Sequence, residues 1–526
     1  MEDFSIKNLS FKYPDRERFA LSNINLGIKK GEFLLVIGES GSGKTTLLRM
    51  LKNELRPKGE IDGGILFLGN NLFELKALDS APKIGFITQE PEAQLVSDRV
   101  YGELAFGLEN LGLDREIIRA RVGEFASYFG LVKEFTKPTA NLSGGQKQLL
   151  NLASVMAMNP EVIILDEPTS QLDPIAAVEF LDALKRLNDD LGVTVIIAEH
   201  HLENAFKLAD RVAYLEDGRL FCCEAPEGLA LLLKDKRISQ TLPVSSRVYQ
   251  YLDSDGKCPL TVKEGRGMLE KYENEHYISI KELINNEEII SCKDIWFRYE
   301  KKGEDVLRSC SLGVRRGEFY ALAGENGSGK STILKLIFGA LKPYRGRLRR
   351  RSESLAYLPQ NPKNLFVKDS VEEDFKSVNN SYLELCESFG IEKLLSAHPY
   401  DLSGGELERA AICKLLLLSP EVLLLDEPTK GLDSFAKNEL GMFLRERIKE
   451  GLTVICVTHD LDFAANFADR CGLLFDGGII CENDCNTFFS GNSFYTTASS
   501  RLTKGIFKNA VTYDDILECI KAGEGK

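Results

Sequence analysis

Two pairs of acids at the ends of apolar runs open the chemical reading. Residues 162–165 (VIIL) lead into Asp166, Glu167 and Pro168, and residues 422–425 (VLLL) lead into Asp426, Glu427 and Pro428. Each reads as a buried parallel strand with two carboxylates at its C-terminal end. A substrate for these carboxylates is indicated by Gly38-x4-Gly43-Lys44-Thr45 and Gly324-x4-Gly329-Lys330-Ser331, two full matches to G-x4-G-K-[ST]. Each follows a short apolar strand, residues 33–37 and 319–323, and opens a helix. Glycine permits the backbone N–H groups to turn inward around phosphates, and the helix offers its positive end. Lys44 and Lys330 are placed to reach the β/γ phosphates, and Thr45 and Ser331 to offer a hydroxyl to Mg²⁺. The candidate nucleotide-binding residues here are Gly38, Ser40, Gly41, Gly43, Lys44, Thr45 and Thr46, matched by Gly324, Asn326, Gly327, Gly329, Lys330, Ser331 and Thr332.

Other polar residues recur at matched distances. Tyr13 and Tyr299 each lie 25 residues before the first glycine, where a ring could stack on a base. Gln89 and Gln360 follow short apolar strands and could reach both metal and attacking water. His200 and His459 close the strands TVIIAEH and TVICVTH, suggesting a polar contact to a γ-phosphate. An unaided reading makes each a strand aromatic, a loop amide or a structural histidine; the matched placement raises them above it.

These residues need positioning elements, and the stretch 141–173 supplies one. NLSGGQKQLLNLASVMAMNPEVIILDEPTSQLD recurs as DLSGGELERAAICKLLLLSPEVLLLDEPTKGLD, with Ser143 and Ser403 separated by 260 residues, as are Asp166 and Asp426. Leu149, Leu152, Ala153 and Met156 follow the spacing of one helix face. Ser143 with Gln146, and Ser403 with Glu406, fit the S-x-x-E/Q capping box. The spacing predicts a capped helix ending before Pro160 or Pro420, then a buried parallel strand.

Composition narrows the class. A chain of 526 residues with 43% apolar residues is an ordinary globular protein of two to four domains. No apolar stretch has the length of a membrane span, and the N-terminus lacks a secretory h-region. Membrane association is therefore expected to be peripheral or through a partner. The net charge of −13 disfavours nucleic acid as a partner. The run Arg345 to Arg351 reads as a solvated turn or edge strand. Twelve scattered cysteines with no CxxC pair suggest neither a metal site nor a disulfide framework, and fit a reducing cytosol.

The order of Tyr, glycine loop, Gln, LSGGQ or LSGGE, Asp-Glu, LD and His resembles the ATP-binding-cassette ATPases across roughly residues 3–233 and 288–485. The resemblance implies an α/β fold of two tandem P-loop cassettes. Each has a RecA-like core, an antiparallel β subdomain and a helical subdomain carrying the signature. It implies that ATP and Mg²⁺ are the cofactors. Tyr13 and Tyr299 would stack on adenine. Asp166 and Asp426, with Thr45, Ser331, Gln89 and Gln360, would serve the metal. Glu167 and Glu427 would polarise the attacking water, with His200, His459, Gln89 and Gln360 beside them. Asp173 and Asp433 would belong to D-loops. Ser143, Gly144, Gly145 and Gln146 would cover the nucleotide held by Lys330. Ser403, Gly404, Gly405 and Glu406 would cover the one held by Lys44, so that the two cassettes pair within one chain. The second signature departs from the usual pattern in ending on Glu406.

A narrower resemblance lies in QEPEAQLVSDRVYGELAFGLENLGL, LPQNPKNLFVKDSVEEDF and the tail SFYTTASSRLTKGIFKNAVTYDDILECI. These are similar to energy-coupling-factor transporter ATPases, which energise uptake of vitamins or of cobalt and nickel. That implies a transmembrane coupling subunit and a substrate-binding membrane subunit as partners, at the cytoplasmic face of the cell membrane. The alternative is a soluble tandem cassette acting on ribosomes, which would usually carry a long charged helical hairpin between its halves. The expected domains are 1–233 and 288–485, with an extension and linker at 234–287 and a C-terminal extension at 486–526. Gln89 lies 51 residues after Gly38, but Gln360 only 36 after Gly324. Ser143 lies 54 after Gln89, and Ser403 only 43 after Gln360. The second half is thus expected to have trimmed β and helical subdomains.

Overall fold

The computed structural model describes residues 2–14, 16–253, 256–273, 278–279 and 286–524. The chain divides into two compact units, Met1–Gly265 and Arg266–Lys526.

In the first unit the strands are β1 (Glu2–Lys12), β2 (Leu21–Lys29), β3 (Phe33–Ile37), β4 (Glu60–Phe67), β5 (Asn70–Asn71), β6 (Ile84–Ile87), β7 (Val162–Asp166), β8 (Thr194–Ala198), β9 (Arg211–Glu216) and β10 (Arg219–Glu224). Strands β2-β1-β4-β5 form an antiparallel sheet. The other sheet runs β10-β9-β3-β8-β7-β6 and is parallel except where β10 pairs with β9. All five residues of β3, β7 and β8 are buried, as expected of parallel strands covered on both faces. Phe4, Ile6, Leu9 and Phe11 of β1, with a register shift between Ile6 and Leu9, join Leu34, Val36, Leu47, Leu48, Ile164 and Ile196 in one core. The helix predicted around Ser143 spans Gly144–Ala157 and stops short of Pro160.

The second unit repeats the plan with β11 (Glu288–Phe297), β12 (Leu307–Arg315), β13 (Phe319–Gly324), β14 (Arg345–Arg350), β15 (Leu355–Leu358), β16 (Val422–Asp426), β17 (Thr453–Val457), β18 (Arg470–Phe475) and β19 (Gly478–Asp484). Its large sheet runs β15-β16-β17-β13-β18-β19. Leu423 and Leu425 enter a core on one face of this sheet, and Val422 and Leu424 a core on the other. The antiparallel sheet has three strands, β12-β11-β14, where the first unit has four. The helices Val371–Val378 and Leu383–Phe389 have 8 and 7 residues, against 11 and 14 for Val100–Asn110 and Arg115–Tyr128. These are the trimmings that the motif spacings predict. The arginine run forms β14, at the edge of its sheet.

The expected extension and linker, 234–287, contains the helices Val244–Leu252 and Val262–Leu269, and the division between units falls inside the second of these. Beyond the division, Arg266 donates to the carbonyls of Arg501 (Nε, 3.0 Å) and Lys504 (3.1 Å), and Ile278 N donates to Lys508 O (3.2 Å). Residues 254–255, 274–277 and 280–285 of that linker lie outside the described residues. Among the described residues no helix is long and apolar enough to cross a membrane.

Candidate active site

In each unit the chemistry gathers at the C-terminal edge of the parallel strands, where an open α/β sheet presents its loops to a ligand. The glycine loop follows β3, Asp166 ends β7, Gln89 lies just beyond β6, and His200 just beyond β8. The same order follows β13, β16, β15 and β17. Gly43 and Gly329 sit at φ 99° and 104° as the residues preceding their helices. A Cβ on Gly43 would meet the carbonyl oxygen of Ala20 at 2.5 Å, and one on Gly329 would meet Leu307 Cδ2 at 2.8 Å. Left-handed backbone and close approach together demand glycine there.

Lys44 Nζ donates to Gly38 O (2.9 Å) and Glu39 O (3.1 Å), and Lys330 Nζ to Gly324 O (2.9 Å) and Glu325 O (2.7 Å). Both ammonium groups thus lie over their own loops. Thr45 Oγ1 donates to Asp166 Oδ1 (3.1 Å), and Ser331 Oγ to Asp426 Oδ1 (2.9 Å). Burial, then the charge of neighbouring Glu167, pushes Asp166 up to about 6; burial also raises Asp426.

Glu167 and Glu427 hold left-handed backbone conformations, φ 49° and 60°, uncommon for a non-glycine residue. Their amides are fixed by the carbonyls of Ala198 (2.9 Å) and Val457 (2.9 Å). A costly conformation held this way fits a site that must aim a side chain. His200 Nε2 lies 2.8 Å from Glu167 Oε1, and His459 Nε2 lies 2.9 Å from Glu427 Oε1. Burial works to raise Glu167, but the His200 hydrogen bond and the charges of His200 and Lys44 bring it lower on balance.

The two glutamines differ. Gln89 Nε2 donates to Glu167 Oε2 (3.0 Å), whereas Glu427 Oε2 accepts from the backbone N–H of His459 (3.2 Å) and Gln360 is exposed. The phenol oxygens of Tyr13 and Tyr299 lie 3.2 and 3.1 Å from the Thr46 and Thr332 hydroxyls. Each ring stands edge-on to a strand aromatic, Phe11 or Phe297.

The signature residues are occupied locally. Ser143 Oγ accepts from Gln146 N (3.3 Å), and Gln146 Oε1 accepts from Ser143 N (3.0 Å). In the second unit Glu406 Oε2 accepts from both Ser403 N (2.9 Å) and Ser403 Oγ (2.7 Å). The glycines Gly144, Gly145, Gly404 and Gly405 form the first helical residues behind these caps.

Two groups escaped the sequence reading. Glu199, the residue before His200, is buried. Its Oε1 accepts from Thr169 N (3.1 Å) and Thr169 Oγ1 (2.7 Å), and burial pushes its carboxyl up to about 8. In the second unit Thr458 replaces it, with its hydroxyl 3.3 Å from that of Thr429. The other is Tyr357, whose hydroxyl donates to Asp426 Oδ2 (3.0 Å). The only signal for Glu199 was its place beside His200; a tyrosine in an apolar strand gives none.

Glu199 makes a pH prediction. Its folded pKa is raised, so the folded chain keeps a proton that the unfolded chain has lost. The stability contribution is complete near pH 4.5 and is lost as pH rises towards 8. Over that window the group should lower unfolding free energy by up to about 1.4 kcal/mol per pH unit. Glu199→Gln is expected to flatten this slope in denaturant titrations from pH 5 to 8; an unchanged slope refutes the assignment.

The residues present fit ATP with Mg²⁺. Each loop carries a buried hydroxyl, Ser42 or Ser328, with no partner among the described residues. Each cation seat is a hydroxyl and a carboxylate, the hard oxygen donors Mg²⁺ takes. Among the described residues no group of three or more His, Cys, Asp or Glu could hold a metal alone, so the cation would share its coordination with phosphate and water. When bound, Mg²⁺ would neutralise phosphate charge.

Fold and site define a protein with two P-loop ATPase cassettes in tandem. The ABC transporter family pattern matches residues 21–170 and 307–430, and the chain belongs to that family. It is 40% identical, over 98% of its length and 97% of the relative's, to a protein of Bacillus thuringiensis subsp. konkukian named as an ABC transporter ATP-binding protein. A Methanosarcina acetivorans protein of the same description is 33% identical over 92% of this chain and 86% of its own. The structure of archaeal ribosome recycling factor aABCE1, in complex with the stalk protein aP1, aligns over 92% of each chain at TM-score 0.62 and 20% identity, which shows a shared fold. The structure of cbiO1 from Clostridium perfringens, part of the cbiONQ ABC transporter complex, covers 51% of this chain and 98% of its own at 30% identity and TM-score 0.42. ATP hydrolysis is the general activity of the ABC ATPases.

Proposed function

We infer that the chain is the fused ATPase subunit of an energy-coupling-factor-type importer, energising uptake of a vitamin or of cobalt or nickel. The observation that carries this reading is a full set of phosphate, metal and water-polarising residues in each unit of a chain whose described helices are too short or too polar to span a membrane. Work done on a membrane must then pass through partners: a transmembrane coupling subunit and a substrate-binding subunit, with this chain peripheral at the cytoplasmic face. Lys44 and Lys330 hold phosphates, Asp166 and Asp426 serve Mg²⁺, and Glu167 and Glu427 polarise water. The names of the full-length relatives support a transporter role.

The segments following Gln89 and Gln360 suit docking, since they expose Val96 (65%), Tyr101 and Phe106 in the first unit and Val367 (80%) in the second. The longest helix among the described residues has 18 residues, Pro174–Leu191, which disfavours the long hairpin of a ribosome-acting tandem cassette. Affinity purification from detergent-solubilised membranes is expected to recover multispanning membrane proteins with the chain. Co-sedimentation with ribosomes and no membrane protein would replace this reading with the ribosomal one.

A further inference from the structure

Asp166 and Asp426 occupy matched strand ends, yet their side-chain hydrogen-bond partners differ by one hydroxyl. On Asp166 the Thr45 hydroxyl bonds Oδ1 at 3.1 Å. On Asp426 the Ser331 hydroxyl bonds Oδ1 at 2.9 Å, and the Tyr357 hydroxyl bonds Oδ2 at 3.0 Å. Tyr357 lies on β15, opposite Leu424 of β16. The corresponding residue of β6, opposite Ile164 of β7, is Phe86, which has no hydroxyl to give. Packing holds the Tyr357 ring as well: its centroid lies 5.6 Å from that of Phe338, at the end of the P-loop helix Lys330–Phe338.

We propose that Tyr357 is a positioning residue that presets the metal-binding carboxylate of the second unit, so that the two ATP sites differ in their demand for divalent cation. This rests on the reading of Asp426 as a Mg²⁺ residue. A carboxylate bonded through one oxygen can still turn about its own axis. A second bond, to the other oxygen, fixes its plane before the cation arrives. The ordering that the first unit must undergo on binding metal is therefore already complete in the second. The opposing effect, withdrawal of electron density by the phenol, is shared by both oxygens of the delocalised carboxylate, and fixing of the plane is taken as the larger of the two.

The test uses the full chain in two backgrounds, Lys44→Ala to leave the second site and Lys330→Ala to leave the first. Mn²⁺ with a non-hydrolysable ATP analogue is the probe, with free Mn²⁺ read by electron paramagnetic resonance. In the Lys44→Ala chain, Tyr357→Phe is expected to raise the half-saturating Mn²⁺ concentration roughly tenfold, leaving analogue affinity in EDTA unchanged. A merely structural role would move both. In the Lys330→Ala chain, Phe86→Tyr is expected to lower the midpoint. A folded Tyr357→Phe chain with its midpoint unchanged overturns the proposal. If that variant does not fold, an unchanged midpoint in Phe86→Tyr overturns it. Failure of the Lys44→Ala chain to bind the analogue at all instead removes the ATP-site reading beneath it.

Discussion

Replacing Glu167 and Glu427 together by glutamine is expected to lower ATP turnover by about a thousandfold while ATP and Mg²⁺ still bind. The amide keeps the shape of the carboxylate but cannot take a proton from the attacking water. The site is built around that carboxylate. Its backbone is held at positive φ by the neighbouring strand, and a histidine ring nitrogen sits within 2.9 Å of it in both units. The proposed nucleotide contacts lie elsewhere, on the glycine loop and its lysine, so binding should survive. Steady-state phosphate release, together with equilibrium binding of labelled ATP, separates the two effects. Undiminished turnover would remove both residues from the role of base.

The second large effect is on binding. Lys44→Ala and Lys330→Ala are each expected to weaken nucleotide at their own site by about a hundredfold. Losing hydrogen bonds to a charged phosphate costs about 3 kcal/mol, and that converts to about two powers of ten in affinity. Calorimetric stoichiometry should fall by one nucleotide in each single variant and to none in the double variant. Two tight nucleotides in the double variant would show that the glycine loops are not the phosphate seats. Each ammonium is buried, with Lys44 5% and Lys330 6% exposed, and rests on two carbonyls of its own loop.

Much of this site was legible in the sequence because its determinants are local. The glycine loop, the capping box at Ser143 and the strand ending in Asp166 are each specified within about a dozen consecutive residues, where periodicity and turn chemistry speak directly. The loop-length differences likewise foretold the smaller sheet and shorter helices of the second unit. What stayed hidden are contacts across strands. Tyr357 and Asp426 are 69 residues apart, and Glu199 lies 30 residues from Thr169. An apolar strand announces burial but not which neighbour a polar tip will find. The divergence of Gln89 and Gln360 is of the same kind, for the two residues follow similar strands and differ in what reaches the adjacent glutamate. The expected extension and linker at 234–287 is set apart in the sequence only by carrying none of the cassette motifs, while the unit division inside it goes with where Arg266 finds its acceptors.

Those acceptors also set an order of events in synthesis. Arg266 bonds residues 235 and 238 positions further along, so the second unit is closed by its own two ends. Its opening segment must wait for nearly the whole unit to leave the ribosome before that closure can form. The first unit, ending at Gly265, makes its own long closures, such as Thr194 to Asp3 and Arg211 to Glu32, and can complete its core while the second is still being translated. A nascent chain stalled before residue 501 would present one finished cassette and one without its clasp.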